Sequence, residues 1–136
     1  NIIAYYSDER LKTKVGNIEN ALEKVSQLNG FYYVNNELAH SVGYTDTKVQ
    51  LGLSAQEVQS ILPEIVHLAP FDTDIDSITK EIKGSKSGEN YLTIDYDKLV
   101  PLLVEAIKEQ QTIIETQNKE ISEIKEMLKT LLNNKQ

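Results

Sequence analysis

Cysteine is absent from the 136 residues, which excludes disulfides, thiolate metal sites and thiol nucleophiles. The absence is compatible with folding in a reducing compartment. No apolar run approaches the roughly 20 residues that a membrane-spanning helix needs. The opening residues, Asn1-Ile2-Ile3-Ala4-Tyr5-Tyr6, have no basic flank of the kind that marks a secretory signal. They also lack a starting Met, so the chain is expected to be a piece of something longer. Positive charge is in the minority, with 14 Lys and Arg against 21 Asp and Glu and a formal net charge of −7. Such a chain repels phosphate backbones and anionic lipid, so neither nucleic acid nor a membrane is expected as a partner. There is no Gly-rich phosphate cradle. His40 and His67 stand apart from any Asp/Glu/His cluster at ligand spacing, and no metal or other cofactor is expected. Asp72, Asp74 and Asp76 alternate like the start of a calcium loop, but the loop Gly and the later bidentate Glu are missing. These three carboxylates read as a solvated strand or loop face.

The length suits one domain with a modest core, or a small domain plus one extended element. Ile18, Ala21, Leu22, Val25 and Leu28 recur at helical spacing, with Asn17 as a cap and Asn29-Gly30 as a stop, which predicts a helix over about 18–28. Phe31-Tyr32-Tyr33-Val34 is a β-type run that stops at Asn35-Asn36. Val49, Leu51 and Leu53 alternate with Lys48, Gln50 and Gly52, the pattern of a half-buried strand. Ser54 followed by Glu57 has the form of a capping box opening a short helix with Val58, Ile61 and Leu62, which Pro63 stops. From Ala69 to Asn90 the chain is polar and turn-rich, and Gly84-Ser85-Lys86-Ser87-Gly88 reads as an exposed loop tip. Tyr91 to Tyr96 is a further strand candidate.

The last third differs. From Lys98 to about Asn133 there is no Gly, and the only Pro, Pro101, falls in a first turn where it is tolerated. Val100, Ile107, Ile114, Ile121 and Leu128 recur every seven residues, and Leu103, Gln110, Gln117, Ile124 and Leu131 follow each by three. That is an a/d seam sustained over five heptads, a rod of roughly 50 Å. The stripe could pack on its own domain or form a coiled coil between chains; the strict spacing and the length favour the second. Ile at a suits dimers and higher states alike. The two Gln at d suit a wider trimeric centre, where side chains share hydrogen bonds or water. The expected class is α+β, a small globular helix and strand part followed by a long C-terminal helix in a trimeric coiled coil.

Candidate chemistry narrows to Ser7 and Lys12. A serine hydroxyl is a poor nucleophile until a base takes its proton, and a lysine does that when it is neutral. A spacing of five puts the two side chains on opposite faces of a strand and about 140° apart on a helix. They meet only across a turn at Asp8-Glu9-Arg10, or between chains. Taken alone, the pair is equally an exposed Ser and an exposed Lys.

Ser7-Asp8-Glu9-Arg10-Leu11-Lys12, followed by Ile18-Glu19-Asn20-Ala21-Leu22 and Leu28-Asn29-Gly30, resembles the start of the intramolecular chaperone domain of endosialidases. That domain also ends phage tail fibres and tailspikes. Gly52 to Gln59 with Leu62-Pro63-Glu64 resembles the family's central motif. Ile94-Asp95-Tyr96 with Leu99 to Glu109 resembles its entry into the terminal helix. The resemblance runs from Ser7 to the C-terminus. It implies a homotrimer and a Ser–Lys dyad that cuts the bond just before the serine. Ser7 then matches the nucleophile, Lys12 the base, and Tyr6–Ser7 the scissile bond. Lys14 departs from the family, whose members often carry Asn there. The implied division is 1–6 as the end of an upstream fibre, 7–97 as the globular chaperone and autopeptidase part, and 98–136 as the coiled-coil helix. The partners implied are further copies of the chain and its own upstream fibre segment, in the host cytoplasm during assembly, with the mature fibre in the virion tail. The alternative is a non-cleaving trimerisation module retained in the mature protein; a third reading is an internal proteolytic switch of a cellular regulator.

Overall fold

The structure, a computed structural model, describes residues 5–135. Of the expected fibre end 1–6, only Tyr5 and Tyr6 fall inside those limits. The chain is α+β and divides into two compact units, one of Ser26–Leu99 and one of Asn1–Val25 with Val100–Gln136.

The Ser26–Leu99 unit holds a small core of Val58, Ile65, Val66 and Ile94, with Leu28, Leu53, Leu62, Leu92 and Leu99 packed against it. Its first strand β1 (Phe31–Tyr33) pairs antiparallel with β2 (Gln50–Gly52), Tyr32 opposite Leu51. Between them lies a short helix, Glu37–Ser41, capped by Asn36. The strand around Leu51 forms, but of the three residues expected on its buried face only Leu53 packs against the core, while Val49 is 65% and Leu51 74% exposed. The covered face is the one carrying Gly52. A side chain there would stand 3.0 Å from the Tyr33 ring and 3.2 Å from the Tyr96 hydroxyl. That hydroxyl accepts from the Leu53 amide at 3.0 Å. Alternation alone could not reveal that two tyrosines close over a glycine.

The helix expected at Ser54 runs over Ala55–Ile61, with Ser54 Oγ accepting from the Glu57 amide. Only half of the capping box forms. The Glu57 carboxylate turns instead to Asn29, accepting from its backbone N–H at 2.9 Å and from its side-chain amide at 3.2 Å. Pro63, which cannot continue the ladder, starts a 3₁₀ turn over Pro63–Ile65. Then β3 (Val66–Leu68) pairs antiparallel with Leu92–Ile94, Val66 opposite Ile94 on the buried side and His67 opposite Thr93. This ladder places two core residues directly across from one another, the unit by which a two-stranded sheet is stabilised.

The turn-rich stretch holds an unforeseen hairpin. Strand β4 (Thr73–Ile75) pairs with β5 (Ile82–Ser85), with an irregularity of register next to Gly84. The tip is closed by Asp76, whose carboxylate accepts from the amides of Ile78 and Thr79 at 2.8 and 2.9 Å. The reading of Asp72 as solvated is corrected. It is 1% exposed, and its carboxylate accepts from Ser85 Oγ (2.6 Å) and from the amides of Ser87 (2.8 Å) and Tyr91 (3.0 Å). Ser85 Oγ in turn accepts from the amides of Gly88 and Asn90. The Ser85–Gly88 loop is thus pinned from beneath by one carboxylate. Burial alone would push the Asp72 carboxyl up; the hydrogen bonds from Ser85, Ser87 and Tyr91 outweigh it and hold the group at about 2.

In the other unit, the helix expected from residue 18 begins only at Ala21 and ends at Ser26. Asn20 sits at φ 53, in the left-handed region, and interrupts any helix running through 18–20. The new N-terminus is capped from far away in sequence. Glu109 accepts from the amides of Ala21 (3.1 Å) and Leu22 (2.6 Å), two of the donors that a helix start leaves open. The terminal helix runs over Leu99–Asn133, behind a 3₁₀ turn at Tyr96–Lys98. Leu102 and Ala106 are buried on it, whereas every residue from Gln110 to Lys135 is exposed. Among the described residues no helix is long and apolar enough to cross a membrane.

Candidate active site

Ser7 lies in an extended stretch just ahead of a 3₁₀ turn, Glu9–Leu11. Asp8 is the residue that makes the turn. Its carboxylate accepts from the Arg10 amide at 2.8 Å, its carbonyl accepts from Leu11 N–H, and the Glu9 carbonyl accepts from Lys12 N–H. The chain is extended on both sides, so the turn folds it back on itself and brings residues five apart together. Lys12 Nζ donates to Ser7 Oγ at 2.7 Å. The pair therefore meets within one chain, across Asp8-Glu9-Arg10. In the other protonation state, with neutral Lys12, the same separation lets the amine accept the serine proton.

The surroundings are polar and open. Ser7 and Lys12 are both exposed, as is Tyr6 at 60%, so the Tyr6–Ser7 bond is accessible. Arg10 grips Asp8 with Nε at 3.0 and 3.2 Å from the two carboxylate oxygens and with a terminal nitrogen at 2.7 Å. These side-chain bonds, and then the backbone bond from Arg10, draw the Asp8 carboxyl below its ordinary range, and the pairing with Asp8 raises Arg10. Among the described residues no His, Asp or Glu cluster could hold a metal ion. A cleft of about 280 Å³ is lined by Tyr44, Phe71 and Tyr91 with apolar and amide side chains, and neither Ser7 nor Lys12 borders it.

The ten residues expected to form a seam between chains lie along the terminal helix. Val100, Leu103, Ile107, Ile114, Ile121, Ile124, Leu128 and Leu131 are between 42% and 64% exposed, and Gln110 and Gln117 are exposed with them. They share one face of the helix Leu99–Asn133, and beyond Gln110 no residue of the described chain covers that face.

Residues 7–67 match the model of a peptidase family described as chaperone of endosialidase. Over that stretch the chain is similar to the endosialidase chaperone family. The endosialidase chaperone match begins at Ser7 and takes in Lys12. Relatives extend it. The chain is 37% identical over 102 residues to the long tail fiber protein Gp37 of Enterobacteria phage K3, covering 75% of this chain and 7% of that protein. It is likewise 37% identical over 102 residues to that of Enterobacteria phage T2, with 75% and 6% covered. Against that of Escherichia phage AR1 it is 34% identical over 103 residues, with 76% and 8% covered. The chain thus spans less than a tenth of the length of these relatives.

What the residue pattern did not disclose is how the turn is held. The Asp8–Arg10 clamp and the Glu109 cap both lie in quoted motifs, but only the fold shows which donor meets which acceptor.

Proposed function

We propose that this chain is the intramolecular chaperone of a phage tail fibre, which drives assembly of a homotrimer and then releases itself by cutting Tyr6–Ser7. The observation that supports the cut most directly is the 2.7 Å approach of Lys12 Nζ to Ser7 Oγ, one residue past the proposed scissile carbonyl. Lys12, when neutral, takes the hydroxyl proton while Ser7 Oγ attacks the Tyr6 carbonyl carbon through a five-membered ring. The Tyr6–Ser7 C–N bond breaks, and the proton held by Lys12 passes to the departing Ser7 nitrogen. Water then hydrolyses the Tyr6 ester, leaving a Tyr6 carboxylate and a Ser7 with a free amine and hydroxyl. On this reading 1–6 ends the fibre, 7–97 carries the chaperone and the peptidase, and 98–136 carries the coiled coil.

Assembly is supported by the bare seam. Three chains in register would bury Ile and Leu side chains that are about half exposed in one chain, each worth about 1 kcal/mol when covered. A coiled coil raises the local concentration of fibre ends and fixes their register before slow non-local strand pairing begins. Both members of the dyad are open to solvent in the single chain, so association is also what would exclude water from them. Cutting then reports correct assembly and makes it irreversible. Assembly belongs to the host cytoplasm and the mature fibre to the virion tail.

The test is mass spectrometry and light scattering of the longer precursor that carries fibre sequence before Asn1. A trimer cut at Tyr6–Ser7 is expected. A stable uncut trimer would make the chain a trimerisation module that stays attached, and an uncut monomer would remove both readings.

A further inference from the structure

A three-residue 3₁₀ turn has little stability of its own. The turn at Glu9–Leu11 buries none of its residues, so apolar packing does not fix it. Yet Lys12 reaches Ser7 only because the turn holds. The restraint in view is a closed set of polar contacts between Asp8 and Arg10: the cap from Asp8 to the Arg10 amide, and the fork of the Arg10 guanidinium across both Asp8 oxygens. The fork geometry is one that arginine supplies and lysine does not.

The clamp has a second consequence. Asp8 is a carboxylate next to the nucleophile and four residues from Lys12. Left unpaired, it would attract the Lys12 ammonium, compete with Ser7 for it and favour its charged form. Bound to Arg10, the carboxylate is occupied on both oxygens and its charge is matched at 2.7 Å. The other charged groups of this segment are Glu9 and Lys14.

We propose that Asp8 and Arg10 are positioning residues for the cut, with Arg10 holding Asp8 both as the cap of the turn and away from Lys12. The proposal rests on the Ser7–Lys12 reading above and adds to it a role for the two residues between.

The experiment follows loss of the full-length precursor against pH for the parent, Ser7→Ala, Arg10→Gln, Arg10→Lys and the double variant Asp8→Asn/Arg10→Gln, each checked as an oligomer. Arg10 is 87% exposed at its side chain, so folding does not depend on its burial. Arg10→Gln is expected to cut about tenfold more slowly at neutral pH, since a misplaced reacting group costs rate steeply. Its pH–rate profile should also be displaced upward, because the freed carboxylate holds Lys12 in its charged form. Adding Asp8→Asn removes that charge and should return the profile to the parent position, while the rate stays low for want of the fork. Arg10→Lys should be slow with an undisplaced profile. An Arg10→Gln precursor that cuts with the parent rate and profile overturns the proposal and leaves the dyad intact. A slow Arg10→Gln with an unmoved profile also overturns it, by reducing the pair to scaffolding. A parent that is not cut, or a Ser7→Ala that still is, removes the dyad itself and the positioning role with it.

Discussion

Two serines in this molecule face opposite fates. Ser85 donates to the buried Asp72 carboxylate at 2.6 Å and accepts from two backbone amides. Its hydroxyl is fully engaged, and its partner, with a carboxyl held at about 2, is far too weak a base to take the proton. Ser7 meets a lysine amine at 2.7 Å on the surface, in a segment with no buried residue. The first arrangement spends every polar contact on fixing a loop. The second leaves a hydroxyl accessible, next to the bond proposed to be cut and beside a group that becomes a strong base once neutral. A short Ser–partner distance is common to both; the partner's basicity and the openness of the site separate an anchor from a candidate nucleophile.

The largest expected effect comes from exchanging the hydroxyls. Ser7→Ala should reduce cutting at Tyr6–Ser7 below detection and leave thermal stability unchanged, because nothing in the core touches it. Ser85→Ala should do the reverse, lowering stability with cutting intact once the trimer forms. Mass spectrometry and thermal melting of both variants check the pair, and a stable Ser85→Ala with a destabilised Ser7→Ala would invert the comparison. Truncation after Gln110 removes the length over which every residue is exposed and should abolish the oligomer, and cutting with it, by light scattering and mass. An oligomer that survives would shift assembly to the Ser26–Leu99 unit.

Smaller effects sharpen the distinction. Val58→Ala opens a hole in a fully buried site and should cost about 2 kcal/mol in urea unfolding, with no change in the Ser7–Lys12 approach. Asp72 should confer acid sensitivity. Its carboxyl lies at about 2 in the fold against an ordinary 3.8, so its stabilisation is complete above pH 3.8 and is lost as pH falls through 2. Asp72→Asn should remove that part of the acid dependence, seen as a flatter stability curve below pH 4; an unchanged curve would assign it elsewhere.

The sequence made some of this legible and hid the rest for physical reasons. The long helix was plain because the seam from Val100 to Leu131 repeats without a break and no Gly interrupts it, and it forms within one residue of its expected start. The Ser54 cap was plain because its spacing is local. The second half of the box was not, since Glu57 chose Asn29, 28 residues away. Leu51 pointed outward because two tyrosine rings close over Gly52, a tertiary event that alternation does not encode. Asp72 looked like its neighbours Asp74 and Asp76 until the hairpin brought Ser85, Ser87 and Tyr91 over it. At the candidate site the sequence allowed Ser7 and Lys12 to meet across Asp8-Glu9-Arg10, and the fold supplies that turn; which bonds hold it depends on side-chain geometry.

The dyad is tested most directly by the rate of precursor loss across pH for the parent and for Lys12→Arg, each confirmed as the same oligomer. Arginine keeps the charge and much of the reach but does not give up its proton at ordinary pH. The parent should cut at Tyr6–Ser7 and faster as pH rises, because the neutral amine is the active form, and Lys12→Arg should assemble and stay whole at every pH. A Lys12→Arg oligomer cut at the same bond and at the parent rate would contradict the account.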